Sequence, residues 1–148
     1  MILLLSLAGW IRSAAGEAPE LQPSALARIE GIALNVRDHT GGLGCRLFAS
    51  EVGFPQEASA AIAVVGVPLA TSEAGCTFEG LAAGTYALVM LHDENGNRTL
   101  DTNFFGMPIE GYGVSNNVTH MMRAPSWEES HFTLAAGEQK RLEIQLRY

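Results

Sequence analysis

KRLEIQLRY (residues 140–148) alternates without a break. Leu142, Ile144, Leu146 and Tyr148 fall on one parity, and Arg141, Glu143, Gln145 and Arg147 on the other. Successive side chains of a strand point to opposite faces, so this spacing predicts a β-strand with one face in a core and one in water. The same period recurs upstream. RIEGIALNVRD (28–38) places Ile32, Leu34 and Val36 inward, and LGCRLFAS (43–50) does the same with Leu43, Cys45 and Leu47. AIAVVGVPLA (61–70) is apolar throughout and closed by Pro68, GCTFEG (75–80) is short, and TYALVMLHD (85–93) puts Tyr86, Leu88 and Met90 on one face. SHFTLAAG (130–137) completes the set, and Gly-rich turns such as HTGG and LAAG separate its members. No sustained helical period interrupts them. The pattern predicts an all-β fold, a seven-stranded antiparallel β-sandwich with one long ordered loop.

The chain has 148 residues, 47% of them apolar, enough for one hydrophobic core. Residues 1–16 read as a signal peptide: an apolar run from Ile2 to Ile11, then Ser13, Ala14, Ala15 and Gly16. Residues 17–26 read as a linker and 27–148 as the sandwich domain. This points to a periplasmic or secreted protein with no transmembrane segment in its mature part. In such an oxidising compartment Cys45 and Cys76, both on core-facing positions, are expected to pair as a disulfide. The net charge of −7 and the scattered arginines argue against nucleic acid as partner.

The loop is the anomaly. About three dozen residues separate two strands, and loops beyond ~15 residues are uncommon unless functional or disordered. This one carries Phe104, Phe105, Met107, Ile109, Tyr112, Val114 and Trp127, which suits folding back on the sandwich. Its first part, DENGNRTLDTN, sets Asp93, Asn95, Asn97, Thr99 and Asp101 on every second position. A hard cation such as Ca²⁺ takes six to eight oxygens, and alternate positions converge when the chain curls. Gly96 permits the curl, and Glu110 is a further carboxylate donor. The start matches an EF-hand loop, but Arg98 stands where that loop has Gly and Phe104 where it has Glu, so an EF-hand proper is excluded. Two readings stand: a weak Ca²⁺ site, or Asx-turns in which these side chains bond their own backbone. Asn103, Gly106, Gly111, Ser115, Asn116 and Asn117 read as loop-structural residues. A metal-dependent hydrolase built on His92, Asp93, Asp101 and Glu110 is a weaker alternative, because His92 reads as a surface or supporting residue and no catalytic motif is present.

FEGLAAGTYALVMLHDENGNRTLDTNFFGMPIEGYGVSNN, with APSWEESHFTL and the closing LRY, closely resembles the uncharacterised bacterial family called domain of unknown function 2141. The resemblance covers roughly residues 29–148. It implies an exported protein with a prealbumin-like or immunoglobulin-like sandwich, and it implies no reaction. The reading that follows is an exported non-catalytic module whose acidic loop binds Ca²⁺ and presents a binding surface, its partner an unknown ligand or envelope component; the alternatives are a metal-free structural sandwich with a hydrogen-bonded loop and, behind it, the metal-dependent hydrolase.

Overall fold

The computed structural model describes residues 25–69 and 74–148. The signal segment and nearly all of the linker lie outside them. Two sheets stack face to face. The smaller has the order β4 (Ala74–Leu81), β1 (Ala27–Leu34), β8 (Gln139–Gln145). The larger runs β3 (Ala63–Pro68), β2 (Gly42–Phe48), β5 (Gly84–Asp93), β6 (Gly111–Val114), with β7 (Phe132–Leu134) also paired to β5. Eight strands are therefore described where alternation predicts seven. The added one is GYGV, four residues long and with too few apolar side chains to show a period.

The sandwich is not wholly antiparallel. β1 and β8 run parallel, from Arg28 opposite Gln139 to Leu34 opposite Gln145. The chain makes a long excursion between them, and β8 enters the sheet from the same end as β1. The β1 register also differs from the alternation reading. Ala27, Ile29, Gly31 and Ala33 face the core, while Ile32 and Leu34 are only half-buried. Gly31 decides this: a Cβ there would sit 2.7 Å from Leu88 Cδ2, so the core side chains of β5 occupy the space. Val36 packs against the core edge from beyond Asn35, whose φ of +62° ends the strand.

Between the sheets lies one apolar cluster holding Ile29, Leu43, Leu47, Phe78, Leu88, Met90, Ile144 and Leu146. Cys45 on β2 and Cys76 on β4 are disulfide-bonded across it, with Cα atoms 6.5 Å apart. The bond ties one sheet to the other and closes a span of 31 positions. A second cluster lies on the far side of the larger sheet. Phe48, Val89, Leu91 and Val114 form it, with Phe54, Leu100, Tyr112 and Trp127 packed against them. β5 is thus buried on both faces from Tyr86 to His92.

β5 changes partner midway. Gly84–Tyr86 pair with β7, and Val89–His92 pair with β6. Ser115 spans the gap. Its Oγ accepts the Leu88 N–H (3.0 Å) and donates to the Ser130 carbonyl (2.6 Å). The next two residues turn through positive φ, 64° at Asn116 and 54° at Asn117, a conformation asparagine tolerates better than most residues. The Asn116 amide donates to the carbonyls of Glu129 and His131, which anchors the short helix α1 (Trp127–Ser130). Asn117 donates to Glu143 O and accepts from Gln145 N, docking on β8. Gly111 allows the close approach of Tyr148, since a Cβ there would lie 2.6 Å from its ring.

Candidate binding cleft and its acidic loop

Asp93, at the end of β5, organises the loop that follows. One carboxylate oxygen accepts the N–H groups of Gly96 (2.8 Å) and Asn97 (3.0 Å), and the other accepts that of Arg98 (2.7 Å). Two Asx-turns continue the curl: Asn95 Oδ1 accepts Asn97 N–H, and Asn97 Oδ1 accepts both the N–H and the hydroxyl of Thr99. The Asn95 and Asn97 amide groups then each donate to a different oxygen of Asp101. Glu110 clamps the base. It is buried, and its two oxygens accept Glu94 N–H (2.9 Å) and Asp101 N–H (3.1 Å). Residues 93, 95, 97, 99, 101 and 110 are therefore brought together. Their carboxylate and amide oxygens, however, face donors within the loop, and the Thr99 hydroxyl donates to Asn97. Two amide NH₂ groups sit against Asp101, where a cation would otherwise neutralise it.

Beyond Asp101 the chain forms a small hairpin. Asn103 accepts the N–H groups of Phe105 and Met107, and its own N–H donates to Met107 O. Gly106, at φ +76°, makes the tip. The tip does not fold back as its composition suggests. Phe104 is 97% exposed and Phe105 85%. The bridge between Thr102 and Pro108 closes the base of this hairpin.

His92 is not a surface residue. It is fully buried, with Nδ1 2.7 Å from the Tyr148 hydroxyl and Nε2 2.9 Å from Thr40 O. A carbonyl can only accept, so Nε2 carries the proton. The Tyr148 hydroxyl accepts Arg37 N–H and donates to Nδ1. Burial holds the Tyr148 phenol above its usual pKa. Arg37 stacks 4.5 Å over the Tyr148 ring and pairs with Glu94 at 2.7 Å, and that hydrogen bond raises the guanidinium pKa. Both ring nitrogens of His92 are committed to this latch, and Asp93, Asp101 and Glu110 spend their oxygens on loop N–H groups. The quartet expected for a hydrolase is not assembled as a reactive set.

Above the second cluster lies a cleft of about 820 Å³, between the 98–108 segment and the 119–125 segment. Val89, Leu91 and Leu100 form part of its apolar lining. Four arginines also line it: Arg46, Arg98, Arg123 and Arg147. The chain has nine Lys and Arg and sixteen Asp and Glu, yet among the described residues no acidic one lines this space. Arg123 is held by Glu129 at 2.8 Å. That carboxylate also takes Ser126 and His120, and these bonds, Arg123 foremost, hold it well below the usual glutamate range. Arg46, Arg98 and Arg147 make no ion pair among the described residues. Arg46 is only 8% exposed, and its guanidinium meets the carbonyls of Arg98 (3.0 Å) and Gln56 (3.3 Å). Burial pushes its pKa down. The positive φ of Arg98, +65°, accompanies both its N–H bond to Asp93 and its carbonyl bond to Arg46, so the acidic loop is coupled to the cleft.

The cleft was not visible as a unit in the sequence, where its arginines lie far apart. One signal pointed to it. In LGCRLFAS, Arg46 shares a parity with Phe48, so the face opposite Cys45 carries a large apolar residue and cannot be plain solvent-facing surface.

The model of a family described as "Uncharacterized protein conserved in bacteria (DUF2141)" matches residues 33–142. No curated protein and no solved structure matches the chain.

Proposed function

The chain belongs to this bacterial family, and from that premise we propose that it is an exported, non-catalytic β-sandwich module that binds a ligand in the cleft walled by its acidic loop. One observation carries the reading: a concave space of about 820 Å³ with an apolar floor, bounded by a loop that its own hydrogen bonds hold in shape. Binding sites for small molecules commonly occupy ~300–1,000 Å³ and combine apolar walls with a few placed polar groups. The Cys45–Cys76 bond supports residence in the periplasm or outside the cell, where disulfides persist. Among the described residues no helix is long and apolar enough to cross a membrane. The two-sheet architecture fits the prealbumin-like or immunoglobulin-like grouping.

Nile red, a neutral apolar dye, tests the reading directly. It is expected to bind one molecule per chain with a blue-shifted emission, and Thr119→Trp, which fills the cleft, is expected to abolish the signal. Binding that survives Thr119→Trp, or no binding at all, would remove the cleft as the functional site.

A second reading has an observation of its own. The side chains of Asn95, Asn97 and Asp101 meet, and rotating the two amides would turn their oxygens toward a Ca²⁺ ion beside Asp101. The rotation would sacrifice both Asx-turn bonds, which favours the metal-free loop. Melting in millimolar Ca²⁺ and in chelator separates the two. Asp93→Ala is expected to lower the melting temperature equally in both. A larger loss in Ca²⁺ would establish the metal.

A further inference from the structure

We infer that the cleft takes a single-chain amphiphile with an anionic head, a carboxylate or a phosphate monoester, with the head at Arg46, Arg98 and Arg147 and the chain along the apolar floor. This rests on the binding reading above and names the ligand class.

The charge distribution carries the inference. In an acidic chain of net charge −7, four arginines line one cleft, and none of the acidic side chains among the described residues does. Three of the four lack a carboxylate partner among the described residues. Arg46 matters most, because a guanidinium buried against an apolar sheet face is costly unless an anion compensates it, and the two carbonyls it meets supply dipoles only. Arginine forks suit carboxylate and phosphate oxygens alike.

The remainder of the lining selects an apolar body. Val89 and Leu91 form the floor, and Phe105, Met121 and Met122 stand exposed around the opening. Unbranched methionine side chains adapt to chains of different length and shape. A polyanion is a poor occupant, since the rest of the surface repels it. The same repulsion acts against an anionic bilayer, so the occupant is the free monomer. A single anionic head presents one charge to the arginines and leaves the acidic exterior untouched.

Titration calorimetry with myristate, myristyl phosphate and myristyl alcohol, each below its aggregation limit, tests this, alongside co-sedimentation with phosphatidylglycerol vesicles. Either anion is expected to bind ~10-fold or more tightly than the alcohol, the scale of one charge-assisted contact. Arg98→Gln with Arg147→Gln, both at exposed positions, is expected to bring the anions close to the alcohol while leaving the alcohol's affinity unchanged. Arg46→Met extends the test if its melting curve shows a folded protein, and the double variant suffices if it does not. Equal affinity for alcohol and anion, an unchanged preference in the double variant, or binding to vesicles without monomer binding would each overturn the inference. Nile red binding with no anion preference would sink this inference and leave the binding reading intact, whereas loss of both would sink both.

Discussion

The two faces of the larger sheet differ in what covers them. The inner face meets another sheet, is apolar apart from His92 at its end, and is crossed by the Cys45–Cys76 bond. The outer face meets two loops, carries Arg46 beside Phe48 and Val89, and leaves a cleft open. The inner face gains its stability from burial, which is non-directional and large. The outer face relies on directed bonds from Asp93, Glu110, Ser115 and Glu129 to shape its cover. One sheet therefore divides its tasks by side: one face holds the molecule together, and the other leaves room for a partner.

Three perturbations can break or sharpen that contrast. Replacing Cys45 and Cys76 together with Ala should cost the most, about 3–4 kcal/mol from the freed loop entropy, and should do so by lowering the single global transition. Urea titration of the variant against the oxidised protein measures it, and a loss below about 1 kcal/mol would deny the inner face its special place. Next comes a matched pair on β5. Leu88→Ala, on the closed inner face, should cost roughly 3–4 kcal/mol, and Leu91→Ala, beside the cleft, about 2 kcal/mol, because the open side lets neighbours and water relax into the space. Equal losses would mean that the outer face is as tightly packed as the inner. The smallest effect concerns acid. The Glu129 carboxyl titrates below its ordinary range because Arg123 and Ser126 bond its charged form. Its contribution is full above the unfolded value near pH ~4.3, declines as pH falls below that, and is gone once pH passes under its own lowered pKa. Glu129→Gln should flatten this acid limb, and hydrogen exchange at residues 126–131 should report it while β2 and β8 stay protected.

Much of the fold was legible because alternation survives wherever one strand face meets water, as in β8. It failed in physically specific places. β6 holds two glycines in four residues and exists because β5 offers it an edge. In β1 both parities carry apolar residues, and the choice fell to Gly31, which makes room for side chains from another strand. TYALVMLHD held more than its alternation suggests: Ala87, Val89 and Leu91 are as apolar as Tyr86, Leu88 and Met90, which signals cover on both faces. The loop's hydrogen-bonded centre was legible in part, since Asx-turns depend on residues two apart. The cleft was not, because Arg46, Arg98 and Arg147 meet only through the order of strands, which no local pattern encodes.

Asn117 has a consequence for how these molecules coexist. Its amide donates to Glu143 O at 3.0 Å and accepts from Gln145 N at 2.8 Å, the two bonds a neighbouring strand would make at that point of β8. A strand margin with free peptide groups invites the margin of another copy. Here one side chain imitates a single residue of an absent strand and occupies the peptide groups through which a second molecule would extend the sheet at that point of β8.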